Sequence, residues 1–413
     1  MKGKLKGACI LGQSGGPTSV INASAYGVIR TALDTPEITN VYGAEYGIRG
    51  ILDDVLFDMS KEDAYELQLL MNTPSSDLGS CRYKMADPEK DDTDYKRIVE
   101  IFSKYDIRYF FYNGGNDSMD TCDKVSRYME KSGYECRIIG IPKTIDNDLC
   151  GTDHCPGYGS AAKYIATTCA EIYKDAHVYD TGTVVVVEIM GRHAGWLAGS
   201  AGLAGICGAG PDLLYLPEVE FNMDKFIDEV MAVYNRKGKC LVAVSEGISY
   251  ADGSYVSEAK VSATDGFGHV QLGGLATTLA GVIKLRTGAK VRGIELSLLQ
   301  RCGAHLASQT DIDEAFLAGK TAVECAVNGE TGKMVGFERT YIDGKYGCNT
   351  VLLPLNAVAN CEKKVPREWI NEAGNGITQE FIDYALPLIQ GENTRTIENG
   401  MPCFANLKKI KVK

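Results

Sequence analysis

The feature that most constrains this 413-residue chain is an alternation of two patterns. Short apolar runs rich in β-branched residues end in loops bearing Gly, Asp or Arg. Amphipathic stretches of helical length follow. Ala8–Leu11 reads as a buried strand, then comes a Gly/Ser loop and a helix over Thr18–Leu33. Arg108–Tyr112 predicts a second strand with a helix running to Glu130, and Arg137–Ile141 a third with a helix over Ser160–Lys174. Thr183–Met190 (TVVVVEIM) is so uniformly apolar that both of its faces must be buried. The pattern continues through strands at Leu213–Leu216, Cys240–Ser245 and Arg292–Leu299, and helices at Met223–Asn235, Leu275–Leu285 and Ile312–Val327. Such alternation implies βαβ units and an α/β fold with parallel sheets covered on both faces. Right-handed crossovers then place every strand-to-helix loop on one edge. The tail from about Pro354 has weaker periodicity and receives no assignment.

A net charge of −11 with a pI near 5.1 argues against nucleic acid or an anionic membrane as the main partner. It leaves room for small anions, which a local cluster of Arg and Lys can hold. The 14 cysteines are scattered and include no CxxC pair, so reduced thiols are the expectation. Cys150, His154 and Cys155 lack a second ligand cluster with zinc-like spacing. The first residues lack a signal-peptide apolar region, and Val184–Met190 is too short to span a bilayer. A cytoplasmic location is expected.

The chemistry-bearing residues lie in the loops. Gly12-Gln13-Ser14-Gly15-Gly16-Pro17 joins a strand to a helix, where glycine lets the backbone approach an anion. It is neither a Walker A sequence nor a GxGxxG fingerprint, which removes the main reason to expect a dinucleotide enzyme. Asn113-Gly114-Gly115-Asn116-Asp117-Ser118 repeats the arrangement with oxygen-bearing side chains, a combination suited to a phosphate chelated to Mg²⁺. Pro142-Lys143-Thr144-Ile145-Asp146-Asn147-Asp148 sets two carboxylates at spacing two behind a lysine. One carboxylate can abstract a hydroxyl proton while the other holds a metal. Arg192, Glu246, Arg292 and Arg301 stand at or beside further strand ends. Any one of these loops alone is an ordinary turn. Four or five of them on one edge make a site for phosphates.

The blocks GQSGGPTSVIN, LGSCR, GGNDS, PKTIDND, MGRHAGW, SEG and RGIELSLLQR, in this order from residue 12 to about 301, resemble the phosphofructokinase family. The resemblance implies two Rossmann-like doubly wound parallel-sheet domains with the active site in the cleft between them. The boundaries expected are 1–155 plus about 302–352 for the phosphoryl-donor domain and about 156–301 for the sugar-phosphate domain. The segment from about 353 to 413 is left unassigned. The resemblance makes Asp146 the general base and puts Thr144, Arg82, Asp117 and Lys143 around the transferring phosphoryl group. Gly15, Gly16 and Ser118 join them in binding the donor. Asn116 and Asp148 would hold Mg²⁺. Met190, Gly191, Arg192, Glu246, Arg292, Leu298 and Arg301 would bind the sugar phosphate, with a neighbouring subunit completing the site in a homodimer or homotetramer. Asp117 and Lys143 replace glycines of ATP-dependent members, as in pyrophosphate-dependent ones. The reaction implied is reversible transfer from pyrophosphate to fructose 6-phosphate in glycolysis or gluconeogenesis. The alternatives are an ATP-dependent enzyme and a non-catalytic sugar-phosphate-binding protein. Asn116, Thr183 and Leu298 depart from the usual family residues and leave the acceptor open between six- and seven-carbon sugar phosphates. His193 is expected to serve packing or a subunit contact.

Overall fold

The computed structural model describes residues 4–257, 274–359 and 361–412. The strands of its two large sheets are β1 (Gly7–Gln13), β2 (Ile38–Ala44), β3 (Leu56–Asp58), β4 (Ile107–Gly114), β5 (Arg137–Pro142), β6 (Thr183–Ile189), β7 (Leu213–Tyr215), β8 (Lys239–Ser245), β9 (Val291–Glu295), β10 (Lys333–Ile342) and β11 (Lys345–Pro354). The main helices are α1 (Ile21–Leu33), α2 (Thr93–Lys104), α3 (Asn116–Ser132), α4 (Tyr158–Ala176), α5 (Met223–Lys237), α6 (Leu275–Thr287), α7 (Gln309–Val327) and α8 (Gln379–Ala385).

One sheet has seven strands in the order β11-β10-β5-β4-β1-β2-β3, parallel except at its two edges. The other has four parallel strands in the order β7-β8-β6-β9. Both sheets bury apolar clusters on each face, as the expected α/β class requires. β6 is central in its sheet, and Val184–Ile189 is buried throughout. Its one acid, Glu188, accepts from Ala276 N at 2.8 Å and so satisfies a free amide at the start of α6. Across the larger sheet, α1 and α7 approach closely because both are notched with glycine. A Cβ on Gly27 would lie 2.3 Å from Phe316 O, and one on Gly319 would lie 2.0 Å from Ser24 O.

The elements differ from the sequence expectation at their ends. α1 begins at Ile21 rather than Thr18, because the Thr18 hydroxyl accepts from Val20 N and holds a turn there. α4 begins two residues earlier than Ser160, because Asp311 accepts from both Gly157 N and Ser160 N. The strand expected through Leu299 stops at Glu295, where the chain turns through Ser297 at φ +45°. The β10–β11 hairpin was not anticipated, although Asp343-Gly344 between two alternating runs is a hairpin turn signal.

The C-terminal segment binds both halves. Val365, Ile370, Phe381, Tyr384, Ala385 and Leu388 enter a core cluster of the four-stranded sheet. The last residues return to the larger sheet, where Val412 N donates to Leu56 O at 2.9 Å. Cys361 forms a disulfide with Cys150, so the expectation that all thiols are reduced does not hold. The two cysteines are 211 residues apart, and no local spacing reports a pairing made by the fold. The other twelve are free. Among the described residues, no helix is long and apolar enough to cross a membrane.

Candidate active site

A cleft of about 570 Å³ lies where strand ends of the two sheets face each other. The larger sheet contributes Gly15, Gly16, Arg82, Gly115, Asn116, Asp117, Ser118, Lys143, Thr144, Asp146 and Asp148; the smaller contributes Met190, Arg192, His193, Ala194 and Glu246.

The first phosphate-type loop is held by its neighbours. Ser14 N donates to Asn113 O at the end of β4, Gly15 N donates to Cys81 O, and the Ser80 hydroxyl donates to Gly15 O. These contacts bring the LGSCR block, and with it Arg82, onto the loop. Gly15 sits at φ +76°, where its absent side chain leaves room for the Lys143 ammonium, 3.3 Å from where a Cβ would stand. Two guanidinium groups converge on Gly16: a Cβ there would lie 3.4 Å from Arg301 Nη1 and 3.9 Å from Arg82 Nη2. Opposite this loop, α3 opens directly at Asn116. Its first-turn amides and the positive end of its dipole therefore face the cleft.

The loop after β5 carries the acids. Thr144 Oγ1 accepts from Asp146 N at 3.1 Å, which turns the chain back after the strand. Asn147 follows in the left-handed region at φ +56°, so that Asp146 and Asp148 both reach the cleft. Burial pushes Asp146 up to about 6, reinforced by the Glu246 charge and opposed by Lys143 and Arg192. Burial and the Asp146 charge push Asp148 up to about 7. Glu246 rises to about 7 through burial, although Gly191 N donates to it. Lys143 is buried, donates to Gly16 O at 2.6 Å, and falls to about 8 through desolvation. This constellation has proton acceptors near neutrality, a lysine charged at neutral pH, and arginines aimed at the same space. Arg192 Nε is buried without an acceptor among the described residues, as expected of a group that waits for an anion.

The donors at positions 116 and 148 fit a hard cation. Asn116 Nδ2 donates to Asp148 Oδ2 at 3.3 Å, which leaves the amide carbonyl beside the carboxylate. That carbonyl oxygen is buried without a partner among the described residues. An oxygen-only pair of this kind suits Mg²⁺ rather than a softer metal. His154, Glu314 and Cys348 also cluster, but His154 spends Nδ1 on Asp153 at 2.8 Å and Nε2 on Glu314 at 2.7 Å.

Not every expected residue joins the cleft. Gly191 acts through its backbone, and Arg301 stands at the rim beside Gly16. Arg292 and Leu298 are exposed, on the edge strand β9 and the turn after it, and do not reach the cleft within one chain. Thr183 lies at the opposite end of β6 from the cleft. Two residues exceed expectation. His193, read as a packing residue, lines the cleft and pairs with Glu362 at 2.8 Å. Glu362 itself comes from the unassigned C-terminal segment, and no motif around it signals that placement.

The sequence matches the phosphofructokinase family over residues 8–325. It is 46% identical over 404 residues to a pyrophosphate–fructose 6-phosphate 1-phosphotransferase of Halomonas elongata, covering 97% of this chain and 96% of that one. A protein of the same name from Xanthomonas campestris pv. campestris is 45% identical, over 98% of this chain and 97% of that one. The crystal structure of a pyrophosphate-dependent phosphofructokinase from Nitrosospira multiformis superposes with a TM-score of 0.89 at 39% identity, covering 98% of each chain.

Proposed function

The chain belongs to the phosphofructokinase family, and we propose that its cleft converts fructose 6-phosphate and pyrophosphate to fructose 1,6-bisphosphate and phosphate. The reading rests above all on Asp117 and Lys143 flanking the donor end of a cleft that also holds Asp146. In this reaction Asp146 takes the proton from the sugar's 1-hydroxyl. The freed oxygen bonds to the terminal phosphorus of pyrophosphate, the bridging P–O bond breaks, and phosphate leaves with its electron pair. Little covalent work is asked of the protein; position and charge carry the catalysis. Gly15, Gly16, Ser118 and the first turn of α3 seat the diphosphate. Arg82, Thr144 and Lys143 meet the charge that moves with the transferring group. Asn116 and Asp148 would hold Mg²⁺, which supplies charge neutralisation at the diphosphate. Asp117 sets a carboxylate where the α-phosphate of a nucleotide would pass, excluding ATP by size and like charge.

Met190, Arg192 and Glu246 bind the sugar phosphate at the other end of the cleft. Arg292 and Leu298 serve the same substrate in a neighbouring subunit of a homo-oligomer, which agrees with their exposure at an edge strand. A cytoplasmic location fits substrates that are phosphorylated sugars. Initial rates with pyrophosphate and with ATP, each with Mg²⁺ and fructose 6-phosphate, test the reading. Turnover with pyrophosphate is expected; turnover with ATP alone would overturn the donor.

A further inference from the structure

Four consecutive residues, Asn147 to Cys150, that begin between the two cleft carboxylates are each held by the C-terminal segment. Asn147 Nδ2 donates to Tyr384 Oη at 2.8 Å. Lys363 N donates to Asp148 O at 2.7 Å. Leu149 forms a β-bridge with Glu362, and Cys150 is bonded to Cys361. All the holding residues lie beyond residue 325, where the family match ends.

The contact at Asn147 is the one that determines geometry. Asn147 is fully buried and sits at φ +56°, between the two aspartates. Asn tolerates the left-handed region better than most residues but still needs local support there. Both ends of its amide are engaged: Oδ1 accepts from Cys155 N at 3.0 Å, and Nδ2 meets Tyr384. The tyrosine's single proton goes to Asp153 O at 2.7 Å, so its oxygen presents a lone pair to Asn147. That directionality fixes the amide in one orientation. Tyr384 is anchored in turn: Arg339 lies over its ring at 4.6 Å and donates to its carbonyl at 2.9 Å, while Trp196 and Trp369 pack at 5.1 and 5.3 Å.

We propose that Tyr384 is a positioning residue for phosphoryl transfer: by fixing Asn147, its hydroxyl sets how Asp146 and Asp148 face the cleft. The inference rests on the reading of the cleft given above. Without the hydroxyl, Asn147 Nδ2 is left buried and unpaired, and the loop gains a reason to leave its left-handed turn. Both carboxylates then shift, although neither touches Tyr384. Misplacement on the ångström scale costs about a hundred-fold in rate, so a partial shift is expected to lower kcat by about ten-fold or more.

The test compares wild type with Tyr384→Phe, which keeps the ring and its packing. Tyr215→Phe is the control, since it removes another partly buried hydroxyl, bonded to Glu229, on a residue that does not line the cleft. Expected for Tyr384→Phe are a kcat lower by about ten-fold or more, KM values for both substrates within about two-fold, and faster amide exchange across residues 144–150. Tyr215→Phe should change none of these. Wild-type kcat together with wild-type exchange in Tyr384→Phe would overturn the proposal, as would an equal kcat loss in Tyr215→Phe. Should Tyr384→Phe fail to fold, Asn147→Asp presents an oxygen to the tyrosine lone pair and is expected to lose kcat likewise; full kcat there would overturn the proposal. The exchange measurement needs no substrate. A wild type that fails to use pyrophosphate would refute the proposed function while the exchange still decides the role of Tyr384.

Discussion

Two clusters of charge share the stretch of chain from Lys143 to His154, and their electrostatics run in opposite directions. In the cleft, Asp146, Asp148 and Glu246 are pushed up toward neutrality and Lys143 is pushed down, with burial the largest cause in each case. Behind it, His154 is buried and Asp153 and Arg339 are half-buried, but they are paired. Arg339 bonds Asp153 at 3.0 Å, His154 bonds both Asp153 and Glu314, and Tyr346 donates to Glu314 at 2.7 Å. There, pairing outweighs desolvation: Asp153 falls below its usual range and His154 rises above its own. Burial without enough partners leaves groups ready to exchange protons and bind ions. Burial with partners makes a strut. The first cluster costs stability and serves chemistry; the second does the reverse.

The sharpest way to separate the clusters is Asp146→Asn. Turnover is expected to fall by about three orders of magnitude, because the proton acceptor is gone. The ligand-free protein should melt at a higher temperature. Asp146 has a raised folded-state value, so its contribution to stability is complete below the ordinary carboxylate value of 3.8 and is lost as pH rises from there through about 6. At pH 7 that penalty is about 3 kcal/mol, and Asn removes it. A variant that keeps wild-type rate, or melts lower, would erase the contrast. The mirror experiment is Glu314→Ala. It should cost about 3–5 kcal/mol by leaving His154 Nε2 and the Tyr346 hydroxyl without their shared acceptor, while kcat per folded molecule stays within a few-fold. Denaturant unfolding and active-fraction kinetics read the two quantities separately. At the donor end, Asp117→Gly combined with Lys143→Gly should lower pyrophosphate turnover by about a hundred-fold and admit weak use of ATP, measured as the ratio of kcat/KM for the two donors.

The smallest effects are in pH dependence. The kcat/KM profile should rise as Asp146 loses its proton near pH 6 and fall as Lys143 loses its own near pH 8. Added Mg²⁺ favours charged carboxylates and should move the acidic limb lower. Stability should respond with the sign set by His154. Its contribution is complete below the ordinary imidazole value of 6.5 and is lost as pH rises through the raised folded value. Replacing His154 by Gln should flatten that part of the stability curve and leave the kinetic limbs in place.

Much of the candidate site was legible because it is local. Apart from the LGSCR block, each site loop from Gly12 to Glu246 lies at the end of an apolar run, so strand assignment alone places it on the shared edge. PKTIDND carries its lysine and both carboxylates within six residues. Part of the turn chemistry of the site was legible too, since Gly15, Asn147 and Gly191 occupy positive-φ positions. The β10–β11 hairpin was missed even though its Asp343-Gly344 turn was present in plain sequence. The place of His193 and Glu362 in the cleft was not legible, because they pair with each other across 169 residues and Glu362 sits in a segment without periodicity.

Apolar period and glycine placement, both properties of near neighbours, determined the alternating strands and helices, the loops that hold phosphate-binding groups, and the paired carboxylates. Only the folded chain decided which of those loops meet in one cleft. It also decided that Arg292 and Leu298 stay outside it, that Cys150 bonds Cys361, and that Tyr384 supports Asn147. Those outcomes depend on contacts between residues far apart in sequence, made by packing and burial. Burial, in turn, sets the charge on each acid, which composition cannot reveal.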